Sequence, residues 1–165
     1  MRRRLTRARA TWYDKPMYRT RIYYQDTDAG GVVYFANYLK LFEKSWFTFL
    51  DAIGNSLPGW EKQGVYVMVR NATLDLIESL RYSDDIEVQS SVAAVKHAQF
   101  TLLHEISKDG RVTTKGSTLM VCVDATGKPR RLPEEFKRRL LEAGSSNDHS
   151  ERSMINPKYR VPACG

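Results

Sequence analysis

Between Phe35 and Ile53, large apolar residues return every three or four positions, at Phe35, Leu39, Phe42, Trp46, Phe49 and Ile53. That interval is the period of an α-helix and predicts one long helix with a strongly apolar face. Gly54 follows where a helix C-terminus favours glycine. The face is built mainly from aromatic side chains, too bulky for a shallow surface stripe, and needs a broad apolar partner. A curved sheet wrapped around the helix supplies one.

The remaining patterns provide that sheet. Residues 18–24 are rich in β-branched and aromatic types and stop at polar residues 25–28, so they read as a first strand. After an irregular stretch around Pro58 and Gly59, β-like runs occupy residues 65–70, 85–95, 99–107 and 115–123 and are expected to form a meander. Asp109-Gly110 between the last two is a strong hairpin signal. Pro133 opens a short helix through Leu141, with Glu134 and Glu135 in its first turn and Arg138 and Arg139 near its end, as the helix dipole favours. The order strand, long helix, four strands defines an α+β class with a single sheet around one buried helix. A chain of 165 residues fits one such domain. It is expected over residues 18–143, between a basic extension at 1–17 and a polar tail at 144–165.

Charge divides unevenly along the chain. Of the net +7, five arginines fall in the first ten residues: Arg2, Arg3, Arg4, Arg7 and Arg9. A second basic cluster comprises Lys128, Arg130, Arg131, Lys137, Arg138 and Arg139. The extension admits a contact with nucleic acid or an anionic membrane, a targeting role, a solvated and disordered segment, or an over-called start with Met17 as the true beginning. A basic, non-enzymatic binding module is therefore one reading, although no nucleic-acid partner is expected for the domain. No apolar run approaches the roughly 18–20 residues of a spanning helix, so a soluble protein is expected. Two cysteines, Cys122 and Cys164, support neither a disulfide framework nor a zinc site, and fit a reducing, cytoplasmic setting.

The chemistry concentrates at residues 26–38, Asp-Thr-Asp-Ala-Gly-Gly-Val-Val-Tyr-Phe-Ala-Asn-Tyr. Two carboxylates and a glycine pair lead straight into the apolar helix. A helix N-terminus offers unpaired N–H groups and partial positive charge to a developing oxyanion. A carboxylate one short loop away can attack a carbonyl or activate water. These are the parts of an acyl-transfer site without serine, cysteine, metal or redox cofactor. Asp-x-Asp before glycine is also ordinary turn and cap chemistry, and both readings stand on the residues alone. The ligand spacing of an EF-hand and the Gly-x-x-x-x-Gly-Lys of a phosphate loop are both absent.

Tyr23 to Tyr34, followed by Ala36-Asn37-Tyr38-Leu39, resembles the signature of the 4-hydroxybenzoyl-CoA thioesterase family, most closely its YbgC-type branch. Looser likeness continues through residues 71–76 and through 121–124 with 127–133. The resemblance implies a hot-dog fold, a long central helix wrapped by an antiparallel sheet of about five strands. It implies a homo-oligomer, dimer or dimer of dimers, with sites at subunit interfaces, acting on acyl- or aroyl-CoA thioesters. It places the catalytic carboxylate at Asp28, as nucleophile or general base, with Asp26 structural, and the oxyanion donor at the backbone N–H of Phe35. Many YbgC-type members carry histidine where this chain has Phe35. That change keeps a backbone donor and puts an aromatic surface at the acyl pocket.

Tyr34 is a candidate pocket residue, with packing as the alternative. Asn37 is a candidate substrate contact, with a capping or interface hydrogen bond as the alternative. Coenzyme A carries phosphates and requires a cationic rim, for which Lys96, His97, Arg130 and Arg131 are the candidates. His104 reads as an ordinary polar strand residue. An acyl-carrier-protein thioester is the alternative substrate. A dehydratase would want a histidine near the central helix, and none occurs between Asp28 and Lys96.

Overall fold

A computed structural model describes residues 16–145. The arginine-rich first ten residues, the tail beyond Ser145 and Cys164 lie outside the described residues. The elements are β1 (Met17–Arg21), α1 (Asn37–Ala52), α2 (Leu57–Glu61), β2 (Tyr66–Leu76), β3 (Asp85–Val95), β4 (Gln99–Lys108), β5 (Arg111–Val123) and α3 (Glu134–Ser145). They form one five-stranded antiparallel sheet with α1 packed on it, chiefly against β3 and β1. This is the α+β, hot-dog arrangement expected from the sequence.

The aromatic face of α1 supplies two apolar clusters. Trp46, Phe49 and Leu50 join Phe100, Met120, Phe136 and Leu140 under α3. Tyr38, Leu41 and Phe42 join Ile22, Val33, Leu80, Ile86 and Ile106 at the other end. Between them, Ser45 reaches into a buried polar chain. Its hydroxyl donates to the Val88 carbonyl at 3.1 Å and lies 2.8 Å from the Ser90 hydroxyl. Ser90 Oγ is 2.9 Å from His104 Nδ1, and His104 Nε2 is 2.9 Å from the Thr118 hydroxyl. Phe42 stacks on the His104 ring at 4.6 Å. It fits there because Gly116 has no side chain: a Cβ at that position would overlap both the Phe42 ring and the Thr73 carbonyl oxygen.

The expected meander holds for β3, β4 and β5, whereas β2 pairs with β5 at the far edge, giving the order β1-β3-β4-β5-β2. Residues 77–84 do not close a hairpin between β2 and β3 but carry the chain from Thr113 on β5 to Ile22 beyond β1, to whose backbones they are bonded. β1 stops at Arg21, short of residue 24. Tyr24–Asp26 forms a single 3-10 turn, because the Asp26 carboxylate accepts the Tyr23 N–H at 2.8 Å and Thr27 bonds back to the Tyr24 carbonyl. At the β4–β5 hairpin, Asp109 and Gly110 both take positive φ, 51° and 74°, the pairing that a two-residue hairpin turn requires.

Candidate active site

Residues 26–34 fold as a miniature hairpin between β1 and α1. Thr27 bridges Val33, the Asp28 N–H donates to the Val32 carbonyl at 2.9 Å, and the Gly31 N–H returns to the Asp28 carbonyl at 3.0 Å. Gly31 has φ +72°, which the tight turn needs and which a side chain would resist. The Asp28 carboxylate is exposed and accepts the Gly30 N–H at 2.7 Å. That close approach leaves little room for a Cβ on Gly30, which would stand 3.0 Å from Asp28 Oδ1.

The second carboxylate has a different task. Asp26 holds the Tyr23 N–H with its side chain, while its carbonyl accepts from the Tyr34 N–H and from Asn37 Nδ2, both at 3.0 Å. Asp26 is thereby committed to the architecture of the loop. Asn37, the first residue of α1, spends part of its carboxamide on the same task.

The start of α1 is uncapped. Ala36 occupies the N-cap position without a side-chain hydrogen bond, and no acidic residue sits in the first turn. Asn37, Tyr38 and Leu39 direct their N–H groups to the carbonyls of Tyr34, Phe35 and Ala36. Among the described residues, no acceptor meets the N–H of Phe35 or Ala36. Such open donors at a helix start suit an anionic oxygen. The Tyr34 and Phe35 rings lie 4.7 Å apart, 45% and 59% exposed, and make an aromatic surface at the mouth of the hairpin. Asp28, the Phe35 N–H, Tyr34 and Asn37 thus converge on one short stretch of chain.

Residues 23–140 match the family model described as the Thioesterase-like superfamily. The chain belongs to the Thioesterase-like superfamily. It is 32% identical over 123 residues to the acyl-CoA thioester hydrolase YbgC of Escherichia coli, covering 71% of this chain and 92% of that one. It is 28% identical over 121 residues to a 1,4-dihydroxy-2-naphthoyl-CoA hydrolase of Nostoc punctiforme, covering 72% and 82%. Among solved structures, a hypothetical protein of Aquifex aeolicus superposes with a TM-score of 0.72 at 28% identity, covering 75% of this chain and 98% of that one.

In this superfamily member, the cationic candidates stand apart from Asp28 within the chain. Lys96 and His97 cap the β3–β4 hairpin, and the Leu132 N–H donates to the His97 carbonyl at 2.8 Å, which brings Arg130 and Arg131 beside them. The Asp28 hairpin sits at the other end of β3, where Ile22 bonds to Asp84 and Val33 to Leu80. The eleven residues of β3, at roughly 3.3 Å each, separate the two groups by on the order of 30 Å. Arg130 also donates to the Gly64 carbonyl at 2.9 Å.

Sequence reasoning passed over three residues around the site. Arg81 places Nη1 about 4.0 Å from where a Cβ on Gly31 would lie, and its guanidinium has no ion pair among the described residues. Tyr38 and Leu80 underlie the hairpin. The alternation Phe100, Leu102, His104, Ile106 along β4 was the available signal that His104 faces the core, where it is 1% exposed. Burial pulls its pKa down to about 3, which keeps the ring neutral. Among the described residues no cluster of three His, Cys, Asp or Glu could hold a metal ion, and no helix is long and apolar enough to cross a membrane.

Proposed function

We propose that this thioester hydrolase cleaves acyl- or aroyl-CoA thioesters with Asp28 as the catalytic carboxylate and the Phe35 N–H as oxyanion donor. The observation that carries the assignment is an exposed carboxylate in a small hairpin followed directly by an uncapped helix start, whose Phe35 N–H has no acceptor among the described residues. The names of the relatives from Escherichia coli and Nostoc punctiforme support the coenzyme A ester as substrate class.

Two routes fit the arrangement. In one, Asp28 attacks the thioester carbonyl, the C–S bond breaks, the thiolate leaves and takes a proton, and water hydrolyses the resulting mixed anhydride. In the other, Asp28 removes a proton from water as that water attacks the carbonyl, the C–S bond then breaks, and the proton passes to the departing thiolate. In both, the Phe35 N–H meets the carbonyl oxygen as it gains negative charge, where a fixed donor acts most strongly. Tyr34 and the Phe35 ring line the acyl side.

The same reading makes the active form a homo-oligomer. β2 forms one edge of the sheet, with Met68 and Val69 more than half exposed, and a long apolar edge strand calls for cover. A second subunit also offers Lys96, His97, Arg130 and Arg131 a way to reach coenzyme A phosphates that their own protomer's Asp28 loop does not give them.

The test is thiol release from a panel of acyl- and aroyl-CoAs by wild type and Asp28→Asn. The variant is expected to remain folded and to lose at least about 100-fold in kcat, the usual contribution of a positioned acid–base group. Equal rates would remove Asp28 from the chemistry.

A further inference from the structure

Residues 77–84, which carry the chain from β2 to β3, are bonded into the base of the candidate site. Ile77 and Glu78 donate their N–H groups to the Thr113 carbonyl at 3.0 and 2.9 Å. The Ser83 N–H donates to Ile22 at 2.9 Å, and the Ile22 N–H to Asp84 at 2.8 Å. Ser83 is held at φ 72°, a left-handed conformation rare for a residue with a side chain, so these bonds fix the path of the segment.

Leu80, fully buried, lies at the centre of this strap. Its carbonyl accepts the Val33 N–H at 2.8 Å. Its own N–H donates to the Tyr38 hydroxyl at 3.3 Å. Val33 closes the Asp28 hairpin through its bridge to Thr27. Tyr38 stands in the first turn of α1, and its N–H is bonded to the Phe35 carbonyl at 3.4 Å. One buried residue, through the two peptide groups that flank it, therefore supports the carboxylate-bearing arm on one side and the donor-bearing arm on the other. The Asp26 carbonyl, holding Tyr34 and Asn37, is the matching support on the solvent side.

We propose that Tyr38 is a positioning residue for thioester hydrolysis: its hydroxyl, through Leu80, sets the Asp28 hairpin against the Phe35 N–H. This rests on the assignment of Asp28 and Phe35 above. The ring of Tyr38, 1% exposed, packs in the cluster with Ile22, Val33, Phe42 and Leu80, a task phenylalanine would perform equally. The oxygen is the part that the packing does not need. Removing it leaves a buried Leu80 N–H without an acceptor, and loosens Val33 and the helix start with respect to each other. Small misalignments of this kind weaken stabilisation of the transition state more than binding of the substrate.

The experiment compares wild type, Tyr38→Phe, Asp28→Asn and, as a control, Thr48→Ala, whose half-buried hydroxyl bonds to the Lys44 carbonyl within α1. Thiol release is measured at 15 °C, well below unfolding, together with amide hydrogen exchange of Val33 and Leu102. Tyr38→Phe is expected to lose about tenfold in kcat with KM within twofold. Its Val33 amide is expected to exchange at least about tenfold faster while Leu102 in β4 keeps its protection. Thr48→Ala should match wild type in both readouts. If Asp28→Asn is inactive but Tyr38→Phe keeps the wild-type kcat, the positioning role is overturned and Tyr38 serves stability alone. A raised KM at constant kcat would overturn it too, making Tyr38 a binding residue. If Asp28→Asn itself matches wild type, the site assignment fails and the role of Tyr38 fails with it.

Discussion

Neutral His104 in the middle of the core makes the stability of the domain depend on pH in a calculable way. The folded protein holds the ring at a pKa of about 3, against an ordinary value of 6.5. The cause is burial, with only the hydroxyls of Ser90 and Thr118 as hydrogen-bond partners. Between those two pH values the unfolded chain binds a proton that the folded chain refuses, so stability falls as pH falls. Each pH unit below 6.5 removes about 1.4 kcal/mol. From pH 7.5 to pH 5 the loss is about 2 kcal/mol, a sizeable part of the stability of a domain this size. This window lies above the titration of Asp85 and Asp124, whose pKa values are held below 3.8 by Arg21 and by the Thr126 and Lys128 hydrogen bonds respectively. Urea unfolding at half-unit steps between pH 5 and 7.5 measures the slope, which should persist in His97→Gln because His97 is exposed. A flat profile, or an NMR titration of folded His104 above pH 5, would refute the reasoning.

Two further outcomes follow from packing. Gly116→Ala is expected to cost about 3 kcal/mol, the upper range for overpacking, because the new methyl meets a backbone oxygen as well as an aromatic ring. Thermal unfolding should move down by roughly 10 °C, while Gly59→Ala, with its nearest neighbour 3.9 Å away, should stay within about 1 kcal/mol of wild type. Cys122 is fully buried with its thiol pKa pushed up by that burial, so in a Cys164→Ser background a disulfide reagent should label it only on unfolding. Rapid labelling of the native protein would contradict the packing around β5.

The helix was legible because its aromatic period outweighs everything near it, and β3 because Ile86, Val88, Val92 and Val95 mark residues 85–95 as a β-like run. The Asp109-Gly110 turn was legible because few residue pairs accept positive φ twice. The candidate carboxylate and donor came from the likeness of residues 23–39 to a thioesterase signature, since spacing alone left Asp28 between catalysis and ordinary turn chemistry. What escaped was set by contacts distant in sequence. The path of residues 77–84 depends on Thr113, Ile22 and Tyr38, and no local pattern announces those partners. The edge position of β2 follows from its pairing with β5 and not from its own composition. His104 hides among polar residues until the alternation of β4 is read together with Ser90 and Thr118 on the neighbouring strands.

The strand order also bears on how the chain reaches its folded state. β3, β4 and β5 can close by two local hairpins, whereas β1 joins the sheet through pairs such as Arg19 with Glu87, 68 positions apart. Loop closure over such separations is entropically the harder step and slows folding. The Asp28 hairpin hangs between β1 and α1 and is held from beneath by the strap leading into β3. A chain in which only the three-strand meander had closed would lack Ile22, Tyr38, Leu41 and Phe42 from its core and would have no support for the candidate loop, so the candidate site forms only once the strands and helix distant in sequence have joined.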